Sequence, residues 1–86
     1  MDTRVAIISI IVENGENTEK VNALLHECGE YILGRMGIPY RKRGIGIISI
    51  ALEAPQNVIN TLAGKIGRID GMTAKTVYSN NVYSEE

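Results

Sequence analysis

The chain has 86 residues, enough for one domain around one core, and its 44% hydrophobic and 22% charged composition excludes wholesale disorder. A formal net charge of −1 is not that of a protein that binds nucleic acid through bulk positive charge. The single cysteine, Cys28, excludes an intramolecular disulfide.

The first segment, "MDTRVAIISIIVE", holds an apolar run from Val5 to Val12. It is too short to cross a bilayer and has no small-residue cleavage pattern, so it reads as a buried strand of a cytoplasmic protein with no membrane partner. The turn "ENGEN" follows. Asn17 or Thr18 then opens a helix whose apolar face is Val21, Leu24, Leu25 and Cys28, at i, i+3, i+4, i+7 spacing, with Gly29 as terminator. A second strand is expected from Tyr31 to about Met36. The third strand is "IGIISIALE", which repeats the Ile7–Ile10 "IISI" at Ile47–Ile50. Pro55 fits the first turn of a second helix, in which Val58, Ile59, Leu62 and Ile66 recur at helical spacing. "MTAKTVY", Met72 to Tyr78, is the last strand.

The order is β-α-β-β-α-β, two copies of one unit offset by forty residues. The expected fold is α+β, a ferredoxin-like, ACT-like sandwich: a four-stranded antiparallel sheet with both helices on one face. The first and third strands are expected as parallel neighbours at its centre. One domain spans residues 1–79, and the polar residues 80–86 are expected to be a loosely held tail.

A sheet covered on one face should alternate apolar and polar residues, and these central strands do not. Ala6, Ile8, Ile10 and Val12 make one face of the first strand; Val5, Ile7, Ser9 and Ile11 make the other. In the third strand Ile48, Ile50 and Leu52 oppose Ile45, Ile47, Ser49 and Ala51. The serines mark the outward face. An apolar outward face predicts a homo-oligomer that meets through Val5, Ile7, Ser9, Ile11, Ile45, Ile47 and Ser49.

No catalytic constellation, metal-ligand set or cofactor motif stands out. His26 lies off the apolar helix face, and a metal site would need copies of it shared between subunits. Ser9 and Ser49 have no local base, and the glycines of "GKIGRIDG" lack phosphate-loop order. The distinctive stretch is "GRMGIPYRKRG", which holds four of the nine Lys and Arg residues and none of the ten acids. Arg41, Lys42 and Arg43 form an extended hairpin end or loop, and such charge guards an edge strand or docks an acidic partner. Arg35 falls inside a strand, where it faces outward or crosses an oligomer interface and offers a planar fork to an anion.

"VNALLH", "GRMGIP" and "LAGKIG", within a similarity covering Arg4 to Ser79, resemble the small bacterial family named for regulation of the iron-only hydrogenase system. The resemblance implies a ferredoxin-like domain close to ACT domains and to the C-terminal domain of the nickel-responsive repressor. Such relatives assemble through sheets and helices and bind small effectors at the seams. The chain departs from the repressor in lacking a His/Cys ligand cluster and a DNA-binding segment. Where ACT domains carry a ligand-contacting glycine after the first strand, this sequence has Asn14 and Gly15. The expected function is a non-enzymatic regulatory or effector-binding domain acting as a homo-oligomer. Its effector is expected near Asn14 and Gly15 or against Arg35. The alternative is a protein-interaction module that docks an acidic partner through loop 35–43.

Overall fold

The computed structural model describes residues 2–84. Strand β1 (Asp2–Val12) leads through a 3₁₀ turn (Gly15–Asn17) into helix α1 (Thr18–Glu27). A second 3₁₀ turn (Gly29–Tyr31) precedes β2 (Ile32–Tyr40), which turns back into β3 (Ile45–Ala54). Helix α2 (Gln56–Gly67) and β4 (Met72–Ser84) complete the chain. The sheet order is β2-β3-β1-β4. This is the expected ferredoxin-like sandwich.

The core is aliphatic. Ile8 and Ile10 of β1 and Ile50 and Leu52 of β3 are fully buried beneath Val21 and Leu25 of α1 and Ile59, Leu62 and Ile66 of α2. The apolar spacing of each helix therefore selects the face it buries, while Leu24, Cys28 and Val58 pack at the margin. Pro55 stands at the N-cap of α2 with φ −56°, the value its ring imposes and the helix needs. Arg4 ends the core at one edge, its guanidinium 4.5 Å from the Tyr78 ring centroid. One of its terminal nitrogens donates to the Ser79 carbonyl at 2.5 Å.

Four expectations need correction. β1 and β3 are antiparallel, not parallel, with Ser9 opposite Ser49 and Ile8 opposite Ile50. The crossover through α1 returns the chain in β2 along the direction of β1. The hairpin then reverses it, so the strand inserted between them must run the other way. Second, β2 runs to Tyr40 and includes Pro39, which pairs with Gly46. An edge strand tolerates a missing N–H on its open side. The basic run is consequently no extended loop: Arg41 to Gly44 close a tight turn, with the Gly44 N–H donating to the Arg41 carbonyl at 3.2 Å and Gly44 at φ 67°. Third, α1 ends before Gly29 as expected, but Tyr31 belongs to the 3₁₀ turn that Gly29 opens rather than to β2.

Fourth, the polar segment after Tyr78 is strand, not loose tail. Val82, Tyr83 and Ser84 pair with Arg4, Thr3 and Asp2 across a bulge at Ser79–Asn81. The last two residues of the expected tail, 85 and 86, lie outside the described residues. Ending the chain after Ser79 removes three cross-strand pairs. At a few tenths to one kcal/mol each, the expected loss is about 1–2 kcal/mol of unfolding free energy. A truncated chain with unchanged thermal unfolding would show that this extension contributes nothing.

Candidate functional site

The turn at Gly15, the start of α1 and the glycine-rich β2–β3 hairpin meet at one end of the sheet, on the helix side. The 3₁₀ turn at Gly15 and the first turns of α1 form one wall. The β2–β3 hairpin, projecting past them, forms the other. Between them lies an open cleft of about 370 Å³. Its polar edge is Thr18, Asn22 and Arg35, and its apolar part includes Val12, Pro39 and Ile48.

The local sequence builds this space. Thr18 and Asn22 are four residues apart and therefore share a face of α1. Arg35 pairs opposite the buried Ile50, which places it on the helix side of the edge strand. It does not point to the outer face, one of the two placements expected from sequence. It donates to the Asn22 Oδ1 at 3.2 Å. A bulge at Leu33 sets this parity, because the register shifts between Ile32 and Gly34. Past Arg35, the positions on the same side are Gly37 and Pro39, opposite Ile48 and Gly46. Two of these four have no side chain, so the helix face of the hairpin stays uncovered beyond the start of α1.

Of the residues singled out from sequence, Gly15 and Arg35 come together in the cleft. Asn14 does not line it. Its side chain accepts from the Glu16 N–H at 3.0 Å and shapes the 3₁₀ turn. Arg41, Lys42 and Arg43 stand exposed on the turn. Arg41 is six residues from Arg35, roughly 20 Å along an extended strand, beyond the reach of unscreened charge at physiological salt. The four cations are therefore two features, not one cluster. Thr18, Asn22, Gly37 and Gly46 escaped the reading of the sequence. The i, i+4 pair on α1 was visible in principle, but nothing local says that β2 passes beside it.

The outer face of the sheet carries Val5, Ile7, Ser9, Ile11, Ile45, Ile47 and Ser49, as their alternation with the buried positions requires. Ile7 is 43% exposed there, and neighbouring strands extend the apolar surface with Met36 52%, Ile38 47% and Val77 64% exposed. No element of the chain covers it among the described residues.

A smaller hollow of about 170 Å³ separates the two helices on the far side, lined by Leu24, Cys28, Val58 and Lys65 among others. Partial burial pushes the Cys28 thiol above its ordinary range, with the Glu27 and Glu30 carboxylates adding to the effect and Lys65 opposing it. It is a poor nucleophile at neutral pH. His26 is exposed. Among the described residues no three His, Cys, Asp or Glu side chains gather as a metal site requires, and no helix is long and apolar enough to cross a membrane.

Residues 4–76 match the model of the TM1266-like family, described as "Iron-only hydrogenase system regulator, putative". The chain belongs to this family. It is similar to the uncharacterized protein TM1266 from Thermotoga maritima, with 38% identity and TM-score 0.84 over 88% of this chain and 96% of that one. Two more distant likenesses show the fold alone. A formyltetrahydrofolate deformylase from Pseudomonas putida KT2440 matches at 18% identity and TM-score 0.67 over 90% of this chain, which spans only 29% of the enzyme. The apo form of CPII from Thiomonas intermedia K12, a nitrogen regulatory PII-like protein, matches at 14% identity and TM-score 0.58 over 92% of this chain and 95% of that one. No curated protein matches the chain.

Proposed function

We propose that this member of a regulator family is a non-enzymatic effector-binding domain that works as a homo-oligomer, with its effector in the cleft between α1 and the β2–β3 hairpin. The observation that carries the reading is the single charge of that cleft: Arg35 is the one ionisable side chain on its lining, held by Asn22 over an otherwise neutral, largely apolar space. Such a space suits a small anion with an apolar part. Other regulatory proteins of the fold bind small molecules: a CPII structure of TM-score 0.58 to this chain is described as bound to ADP, AMP and bicarbonate. The uncovered apolar sheet face supports self-association.

A thermal-shift screen of amino acids, organic acids and nucleotides tests the effector reading. A ligand present at a hundred times its Kd stabilises the folded form by about 2.7 kcal/mol, a rise in Tm on the order of 10 °C for a domain of this size. The rise is expected to vanish in Arg35→Gln and to persist when Arg41, Lys42 and Arg43 are all replaced by Ser. No shift with any compound would reject the cleft as an effector site. It would favour the second reading, in which the exposed cationic turn docks an acidic protein. That interaction would weaken as salt rises and would be lost in the triple-Ser variant.

A further inference from the structure

We propose that the cleft is built for a small planar carboxylate: its charged end meets the Arg35 guanidinium, and its flat apolar body lies on the bare backbone of the β2–β3 hairpin. This deepens the effector reading above and rests on it. Three observations carry it.

The first is charge. Arg35 is the only ionisable side chain on the lining, so a ligand with one negative charge is matched one to one. A dianion would bring a second charge with no cation beside it. Asn22 accepts one of the guanidinium's five N–H donors, which fixes the plane of the fork and leaves the others free. The start of α1 adds no charge to the balance, because the preceding 3₁₀ turn already accepts the Thr18 N–H at the Gly15 carbonyl and Asn17 donates to the Asp70 carbonyl at 3.1 Å.

The second is thickness. A Cβ placed on Gly37 would meet nothing within 4 Å, and one on Gly46 would only touch Val12 at 3.5 Å. Neither glycine has positive φ. The absence of side chains here is therefore not demanded by backbone geometry or crowding; it leaves a smooth floor of peptide planes and the Pro39 ring, walled by Val12 and Ile48. A flat body contacts such a floor along its whole length, and a puckered one does not.

The third is size. About 370 Å³ lies at the small end of ligand sites. It suits one ring with a carboxylate and short substituents rather than a dinucleotide.

Titration of ¹⁵N-labelled protein with benzoate, cyclohexanecarboxylate and inorganic phosphate tests this. Benzoate is expected to move the amide signals of Arg35, Gly37 and Gly46 saturably, with cyclohexanecarboxylate about tenfold weaker from the misfit of its ring. Arg35→Lys keeps the charge but loses the fork, and benzoate is expected to bind it about tenfold more weakly. Gly37→Val fills the floor with a residue that favours strands, so Tm is kept or raised while benzoate binding is lost. Should that variant not fold, Arg35→Lys still decides. If phosphate or cyclohexanecarboxylate binds the cleft as well as benzoate, the planar carboxylate is overturned and the effector site survives. If Gly37→Val binds benzoate unchanged, the planar body on the glycine floor is overturned and the effector site survives; if no anion moves the cleft amides, both readings fall.

Discussion

Ile47→Asp is expected to reduce the scattering mass of the protein to the 9.4 kDa of a single chain, while the parent is expected to scatter at twice that mass or more. Ile47 lies between Ile11 of β1 and Ile38 of β2 on the uncovered sheet face. A carboxylate left unpaired in a buried contact costs about 3–5 kcal/mol, and a two-fold interface contains it twice. Dissociation should therefore become easier by roughly a thousandfold or more. The fold itself should survive, because the side chain points away from the helices; circular dichroism and a thermal melt check this. Ile7→Asp, on the same face, should act alike. A parent that is a well-folded monomer at micromolar concentration, or an Ile47→Asp variant that keeps the parent's mass, would show that this face is not where the chains meet.

The second large effect is expected at Gly71, the residue that leads into β4. Its φ is 82°, and an added Cβ would lie 2.8 Å from the Cβ of Asn14 and 3.2 Å from its backbone nitrogen. The Gly71 carbonyl also accepts from the Glu13 N–H at 2.7 Å. Gly71→Ala thus meets two penalties: left-handed backbone, about 1–2 kcal/mol, and a steric clash with main chain that cannot rotate away. The expected loss is roughly 2–4 kcal/mol, or a fall in Tm on the order of 10–20 °C. Because Asn14 belongs to the turn that shapes one wall of the cleft, ligand binding should weaken in the same variant even below its melting temperature. Gly44→Ala, which has positive φ but open space, should cost only the backbone part. Equal melting of the two variants would mean that the Asn14 contact is unimportant.

The two halves of the chain were legible for a simple reason. Aliphatic runs and helical spacing are local, and each half contains a full β-α-β unit with both signals. Facing of residues was legible in β1 and β3, since strict alternation survives along both. It failed in β2. Leu33 occupies a bulge there, and a single extra residue moves every later side chain to the other face, which puts Arg35 on the helix side. Where β2 and β4 end was also hidden. Pro39 and the polar Asn80–Asn81 argue locally against a strand, and what overrides them is a partner strand distant in sequence. The cleft has the same character. Thr18, Asn22, Arg35 and Gly46 are each unremarkable in sequence, and only the passage of the hairpin beyond the start of α1 brings them together.

The register of the two "IISI" segments has a consequence for assembly. Ser9 and Ser49 face each other, so a half-turn about an axis through that pair, normal to the sheet, carries Ile7 onto the place of Ile47 and Ile11 onto that of Ala51. The centre of the outer face thus looks almost the same upside down. A second copy docking there finds two seatings, half a turn apart, that the middle of the contact scarcely tells apart. The choice falls to the flanks, where the bulge in β2 turns Met36, Ile38 and Tyr40 outward on one side while β4 presents Thr73, Lys75 and Val77 on the other. If copies of the chain meet through this face, substitutions at the flanks, far from the axis, would choose between the two seatings.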